Sequence, residues 1–253
     1  MTDESIIELP FSSKRFTGEV EHTELTDIDR AVGSFFQSVV HSLIVTDKAR
    51  KENQEFARMT ERPPNTKLYS GEFQSPQEFL MKLSAKVGKK VKQERNELLP
   101  TGYISRDPTV SFTDGSDYTD VTGFSEITDK NDKTLYRLNK SFVRLTYSLT
   151  FLAWNKSTLS RIALGVMMWS RHQKQGRPHV FKAKTMISEL PVDIAIELTG
   201  MKDVMSEPAE IDHENTRLFA STMRFEVITE VYESESLEHV QGRLEIREGR
   251  HLE

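Results

Sequence analysis

The chain has 253 residues, no cysteine, 39 acidic against 34 basic side chains and a formal net charge of −5. The missing cysteine excludes disulfide scaffolds, Cys-ligated zinc, iron–sulfur clusters and thiol nucleophiles, and no apolar run reaches the ~18 residues that a membrane-spanning helix needs. Negative net charge argues against a general polyanion binder, while 36% apolar and 29% charged residues at 29.1 kDa imply arms, loops or a polar assembly surface beside the core.

Residues 1–25 read as an N-terminal arm or isolated strand, with Ile6, Ile7 and Leu9 before Pro10 and Phe11 and Phe16 after it. The first five residues are acidic and lack an apolar stretch, so no secretory signal is expected. Thr26 reads as a helix N-cap, with Asp27 and Asp29 in the first turn. Ile28, Val32, Phe35, Phe36, Val39, Val40 and Leu43 follow at steps of three and four, which predicts a helix over 27–45 with one apolar face. Gly33 in that helix allows close packing. A charge-rich stretch, 46–62, ends at Pro63-Pro64.

A short strand is expected between Lys67 and Phe73. Ser75-Pro76-Gln77-Glu78 is a helix start: Ser75 as N-cap, Pro76 at the first helical position, Glu78 closing a capping box. Phe79, Leu80, Leu83, Val87 and Val91 form its buried stripe. Lys82, Lys86, Lys89, Lys90, Lys92 and Arg95 lie on the other face with Glu94, six basic groups against one acidic. Leu98-Leu99-Pro100 leads into an extended stretch, 102–112. Residues 113–133 have the composition of a long loop.

Val143, Leu145, Tyr147, Leu149, Phe151 and Ala153 alternate with polar residues, which predicts a strand over 143–154. A helix capped by Ser157 follows over 158–171 and stops at Gly176-Arg177-Pro178. His179–Met186 reads as a strand, Val192–Leu198 as an alternating strand, 200–216 as an acidic loop, and Phe219–Val231 as the core of a long strand over 217–232. Residues 233–253 read as a charged C-terminal tail. The predicted class is therefore α/β of the α+β kind. It has a mixed, mostly antiparallel sheet, amphipathic helices packed on one face, extended arms and a long loop, with one domain over 26–232.

Sites of chemistry are sparse. Asp114, Asp117 and Asp120 are three apart, which does not match the alternating ligands, Gly and final Glu of a calcium loop. The His residues form no metal-binding pair in helical register. No nucleophile elbow and no phosphate-cradling glycine loop occurs. Neither metal nor cofactor is expected, and no enzyme activity. A hydrolase whose carboxylates lack a motif is the rival of another class. The basic face 82–95 and residues 207–253, with twelve acidic and five basic side chains, could attract each other between neighbouring subunits. The candidate interface residues are Lys82, Lys86, Lys89, Lys90, Lys92, Arg95, Asp114, Asp117, Tyr118, Arg144, Arg224, Glu226 and Glu230.

The order of segments resembles the tail terminator, or tail sheath stabiliser, of contractile-tailed bacteriophages of the T-even kind. The likeness runs over about residues 27–232. It is carried by the helix Ile28–Leu43, by KLYSGEFQSPQEFLMKL (67–83), by Leu98-Leu99-Pro100 and the extended stretch after it, by RLTYSLTFLAW (144–154) and the following helix, by VDIAIEL (192–198), and by RLFASTMRFEVITEVY (217–232). The resemblance implies a non-catalytic virion protein assembled in the host cytoplasm. It implies a homo-oligomeric ring, a hexamer, at the head-proximal end of the tail. The implied partners are the tail tube protein, the tail sheath protein and a neck or connector protein, with DNA passing the lumen unread and no membrane involved. A head–tail connector or baseplate adaptor is the alternative within assembly proteins.

Overall fold

One strand organises the molecule. The computed structural model describes residues 6–87, 98–113, 118–128, 135–171, 179–199, 204–213 and 216–247. In it β9, Thr216–Arg247, runs for 32 residues. Along one edge it pairs with β5 (Leu135–Ala153) from Phe219 to Leu237 without a register shift. Its other edge is shared in sequence by three strands. β8 (Ser206–His213) pairs with 216–223, β7 (Leu190–Thr199) with 226–229, and β1 (Ile6–His22) with 233–247. β6 (Val180–Ile187) extends the sheet beyond β7. On the far edge of β5, β3 (Thr101–Phe112) and β4 (Val121–Thr128) follow one another, and β2 (Leu68–Ser70) adds to β3. Every pairing is antiparallel except β2 with β3. This is the mixed, mostly antiparallel α+β arrangement expected from the sequence.

The alternation of β5 and β9 dictates which face is apolar. Register sets Leu145 opposite Val227, Tyr147 opposite Phe225 and Leu149 opposite Met223, and directly opposed residues share a face. Two helices cover that face: α1 (Leu25–His41) and α5 (Lys156–Arg171). Their inward residues, among them Ile28, Val32, Phe36, Val39, Leu159, Ile162 and Val166, join these strand residues in one core. Phe36 lies on Phe225 with ring centroids 4.7 Å apart, and Phe35 stacks on Phe181 at 4.4 Å. Each such side chain removed from water contributes roughly 1.5–3 kcal/mol. Gly33 makes the approach of α1 possible, because a Cβ there would stand 2.9 Å from Ser70 Oγ.

The opposite face carries a second core at one end only. α4 (Pro76–Val87) sets Phe79, Leu80 and Leu83 against Tyr103, Leu152, Ile211 and Leu218. Ser75 Oγ accepts the Glu78 amide at 3.2 Å, and Glu78 Oε2 accepts the Gln74 amide at 2.7 Å. The capping box is thus formed, with its return bond one residue earlier than the motif predicts. The expectation of helices on one face holds for α1 and α5; α4 crosses over because its apolar stripe meets the residues of β5 and β9 that point the other way.

Several local expectations are corrected. α1 begins at Leu25 with Glu24 at its cap, two residues before the predicted cap Thr26, and it ends at His41, with Leu43 beyond it packed beside Gly165 of α5. The charge-rich stretch contains a 3-10 turn, Lys51–Asn53, and α2, Gln54–Glu61, and a short helix α3, Pro64–Lys67, follows Pro63. α5 starts at Lys156, so Ser157 is inside its first turn. The predicted loop 113–133 contains strand β4, and the predicted acidic loop 200–216 contains β8. Both are edge strands, where pairing to a long neighbour suffices and Pro208 is tolerated. The stop at 176–178 lies outside the described residues. The segments read as arm and tail pair with each other: β1 and the end of β9 form a two-stranded ribbon, bulged between Phe16 and Val20 around Gly18 at φ +97°.

Candidate functional site: an open charged sheet face and an apolar groove

Beyond α4, no helix among the described residues covers the second face of the sheet. Register puts Arg224 opposite Ser148, Glu226 opposite Thr146, Ile228 opposite Arg144 and Glu230 opposite Phe142, all on that face. Arg144 and Glu226 form an exposed pair at 3.9 Å. Glu230 is held more firmly. It meets Lys140 at 3.4 Å, accepts the Ala195 amide at 3.0 Å and the Tyr232 hydroxyl at 3.4 Å. Burial and the Glu230 carboxylate together push the Tyr232 hydroxyl up to about 12. Lys140 lies over the rings of Phe124 and Phe142 at 5.5 and 5.3 Å, a setting that favours a cation. Tyr118 closes this end: its ring meets Phe142 edge-on and its hydroxyl donates to Glu197 at 3.0 Å. Nearby, Asp107 is held below the usual carboxylate range by the Thr109 amide and hydroxyl, with smaller help from Arg224 and Arg106.

Five of the predicted interface residues, Tyr118, Arg144, Arg224, Glu226 and Glu230, are therefore brought together. Arg144, Arg224 and Glu226 are exposed, whereas Glu230 is tied into its own subunit. Lys82 and Lys86 stand apart on α4. Lys82 pairs with Glu78 at 2.6 Å and lies over Phe73, and Lys86 lies over Tyr69, so Lys82 is partly satisfied at home. The Lys82 hydrogen bond, with the Gln74 amide, holds Glu78 below its ordinary range. Lys89, Lys90, Lys92, Arg95, Asp114 and Asp117 lie outside the described residues.

Two hollows among the described residues bear on this face and its neighbours. A groove of about 650 Å³ runs between α5 and the β8–β9 pair, floored by Leu159, Ala163, Phe219 and Ala220 and rimmed by Leu164. At one end Glu210 pairs with both Lys156 and Arg217, and Lys156 lies 5.0 Å over the Phe219 ring. The groove wall is fixed by Glu55, a residue with no sequence signal of its own. This buried carboxylate of α2 accepts the Trp154 amide, Asn155 Nδ2 and Thr158 Oγ1 at 2.7, 2.7 and 2.8 Å. It sits at the start of α5, where the helix dipole favours an anion.

The second hollow, about 780 Å³, opens between α1, β3 and the link from β2 to α4, and most of the residues lining it are polar or charged. Asp29 Oδ1 accepts from the Tyr147 hydroxyl at 2.6 Å and from Arg106 Nε at 2.9 Å. Burial first, and Asp29 second, push the Tyr147 hydroxyl far above its ordinary value. It therefore keeps its proton as a donor, and the trio acts as a clasp between α1, β3 and β5. Lys67, buried at the end of α3, donates to the Thr60 carbonyl at 2.8 Å, and burial pushes its ammonium down. Among the described residues no group of three or more His, Asp or Glu side chains is arranged to hold a metal ion. No protein-family model matches the chain, and no curated protein matches it in sequence.

Proposed function

We propose that this chain is one subunit of a ring that ends the tube and sheath of a contractile phage tail and joins them to the neck. The observation that carries the reading is where the resembling segments fall. Residues 28–43, 67–83, 98–112, 144–171, 192–198 and 217–232 supply most of α1, β2 with most of α4, β3, half of β5 with α5, most of β7 and the first half of β9, which together are the framework of both cores.

In this reading the ring is a hexamer in the virion, and its role is contact, not catalysis. The open face with Arg144, Arg224 and Glu226 meets a neighbouring chain. Tube and sheath proteins bind one side of the ring and the neck binds the other, with DNA passing through the lumen. Native mass spectrometry of the purified protein, alone and with tube and sheath proteins, is expected to show a closed ring of six copies; a monomer under every condition would sink the ring. Tails assembled without the protein are expected to vary in length and to lose their sheaths. Uniform, stable tails would defeat the terminator role.

A further inference from the structure

β6 is the last strand on the path of the sheet and pairs along one edge, with β7. The two strands join through Ser188 and Glu189, both at positive φ (46° and 62°). In a two-residue turn of this kind the flanking pair, Ile187 and Leu190, exchanges backbone hydrogen bonds. Bonded and unbonded pairs then alternate, so Thr185, Ala183 and Phe181 bond to β7, while the N–H and C=O groups of Met186, Lys184 and Lys182 point away from it. β7 has the matching pattern. The Leu198 amide turns toward β6 and donates to the His179 carbonyl at 2.9 Å, whereas the Ala195 amide turns the other way, to Glu230. Among the described residues no hydrogen bond reaches the outward groups of β6, and such an edge is a template for another strand. Beside it runs a trough of about 510 Å³ between α1 and β6. Phe181, Lys182, Ala183 and Lys184 line its strand side. They come from both faces of β6, so the trough follows the edge of the strand. Its helix side is kept low by Ala31, Ser34 and Ser38. From Asp27 to Ser38 α1 advances about 16 Å, the length of about five extended residues.

Charge says what the edge accepts. Ala183 and Ile187 point into the core, so Lys182 and Lys184 project from the other face, where both are exposed. A second β6 laid antiparallel about Ala183 would set Lys182 opposite Lys184, and like charges directly opposed repel. The lysines therefore guard the edge against a copy of itself, but a guard does not require a trough. The same charges favour an acidic strand, and β7 already shows the match on the inner edge. It sets Asp193 opposite Lys184, and Asp193 also pairs with Lys182 at 3.6 Å, while Ile194 and Ile196 turn into the core. Arg30 adds a third cation at the rim of the trough. We propose that β6 is a docking edge: an extended segment of a different protein, acidic and apolar in alternation as β7 is, lies in the α1–β6 trough and adds a strand to the sheet. Its backbone bonds the outward groups of Lys182, Lys184 and Met186. Its carboxylates meet the two lysines, and its apolar side chains pack against the half-buried Phe35 and Phe181. Backbone bonding supplies affinity in such a contact and the alternating side chains supply choice of partner.

This contact does not depend on the ring, and the experiment keeps the two apart. The probe is a labelled peptide with the sequence of residues 192–198, Val-Asp-Ile-Ala-Ile-Glu-Leu, added to the full-length protein. Fluorescence anisotropy is expected to show saturable binding below about 1 mM, and a peptide with Lys in place of Asp and Glu is expected to bind at least about tenfold more weakly. Hydrogen exchange is expected to slow at the amides of Lys182, Lys184 and Met186. The double variant Lys182→Glu with Lys184→Glu is expected to reverse the preference between the two peptides. Ser34 is exposed on α1, so Ser34→Trp is expected to keep the wild-type circular dichroism, fill the trough and abolish binding. No binding, equal binding of both peptides, or binding without slowed exchange at those three amides overturns the proposal. So does a double variant that loses self-association seen by native mass spectrometry in the wild type, because the edge would then belong to a second copy. A protein that stays monomeric and binds the peptide at this edge upholds the docking contact and defeats the ring.

Discussion

The two halves of β9 have the same period and different company. From Phe219 to Ile228 the strand has β5 on one edge, β8 and then β7 on the other, helices α1 and α5 on one face and α4 over the start of the second. From Glu238 to Arg247 its one paired strand among the described residues is β1. Apolar residues alternate in both: Met223, Phe225 and Val227 in the first, Val240, Leu244 and Ile246 in the second. Alternation therefore specifies a strand and its apolar face, and says nothing of what covers that face. In the first half the cover is part of the chain. The outer half of β3 repeats the lesson, since Val110 and Phe112 are exposed where the helical layers end.

The contrast is broken most severely from inside the first half. Phe36 is fully buried against Phe225, and Phe36→Ala is expected to lower the unfolding free energy in urea by about 4 kcal/mol. A loss below about 1 kcal/mol would mean that α1 does not cover the sheet as described. Glu55→Ala comes next, at about 3 kcal/mol, because it strands the Trp154 amide and two side-chain donors in a buried corner. Glu55→Gln keeps acceptor capacity and is expected to cost less. Equal losses for the two variants would show that the charge at the start of α5, and not the bonding, matters.

The sequence discloses what is local and periodic. α1, α4, α5 and the strands at 143–154, 192–198 and 217–232 follow from apolar spacing and cap chemistry. β4 and β8 do not, because an edge strand needs only one good neighbour and their composition is that of turns. The clustering of Tyr118, Arg144, Arg224 and Glu226 follows from alternation on paired strands once the β5–β9 register is known. The lysine face on α4 was legible as charge, but not the contacts of Lys82 with Glu78 and Phe73. Glu55, the Asp29–Tyr147–Arg106 clasp and the groove had no signal at all. Each joins residues dozens of positions apart, and only the folded sheet brings them together.

A pH series sharpens the comparison at the boundary between the halves. Tyr232 stands where β9 passes from β7 to β1, and its hydroxyl is raised to about 12 from an ordinary 10. In the unfolded chain it loses its proton near pH 10. The stability that a raised phenol contributes is therefore complete below pH 10 and is lost as pH climbs from 10 to 12. Tyr147, raised further by burial and Asp29, adds to the same alkaline decline. Tyr232→Phe is expected to flatten the fall between pH 10 and 12 by about 1–2 kcal/mol, with little change at pH 8. An unaltered slope would locate the decline elsewhere.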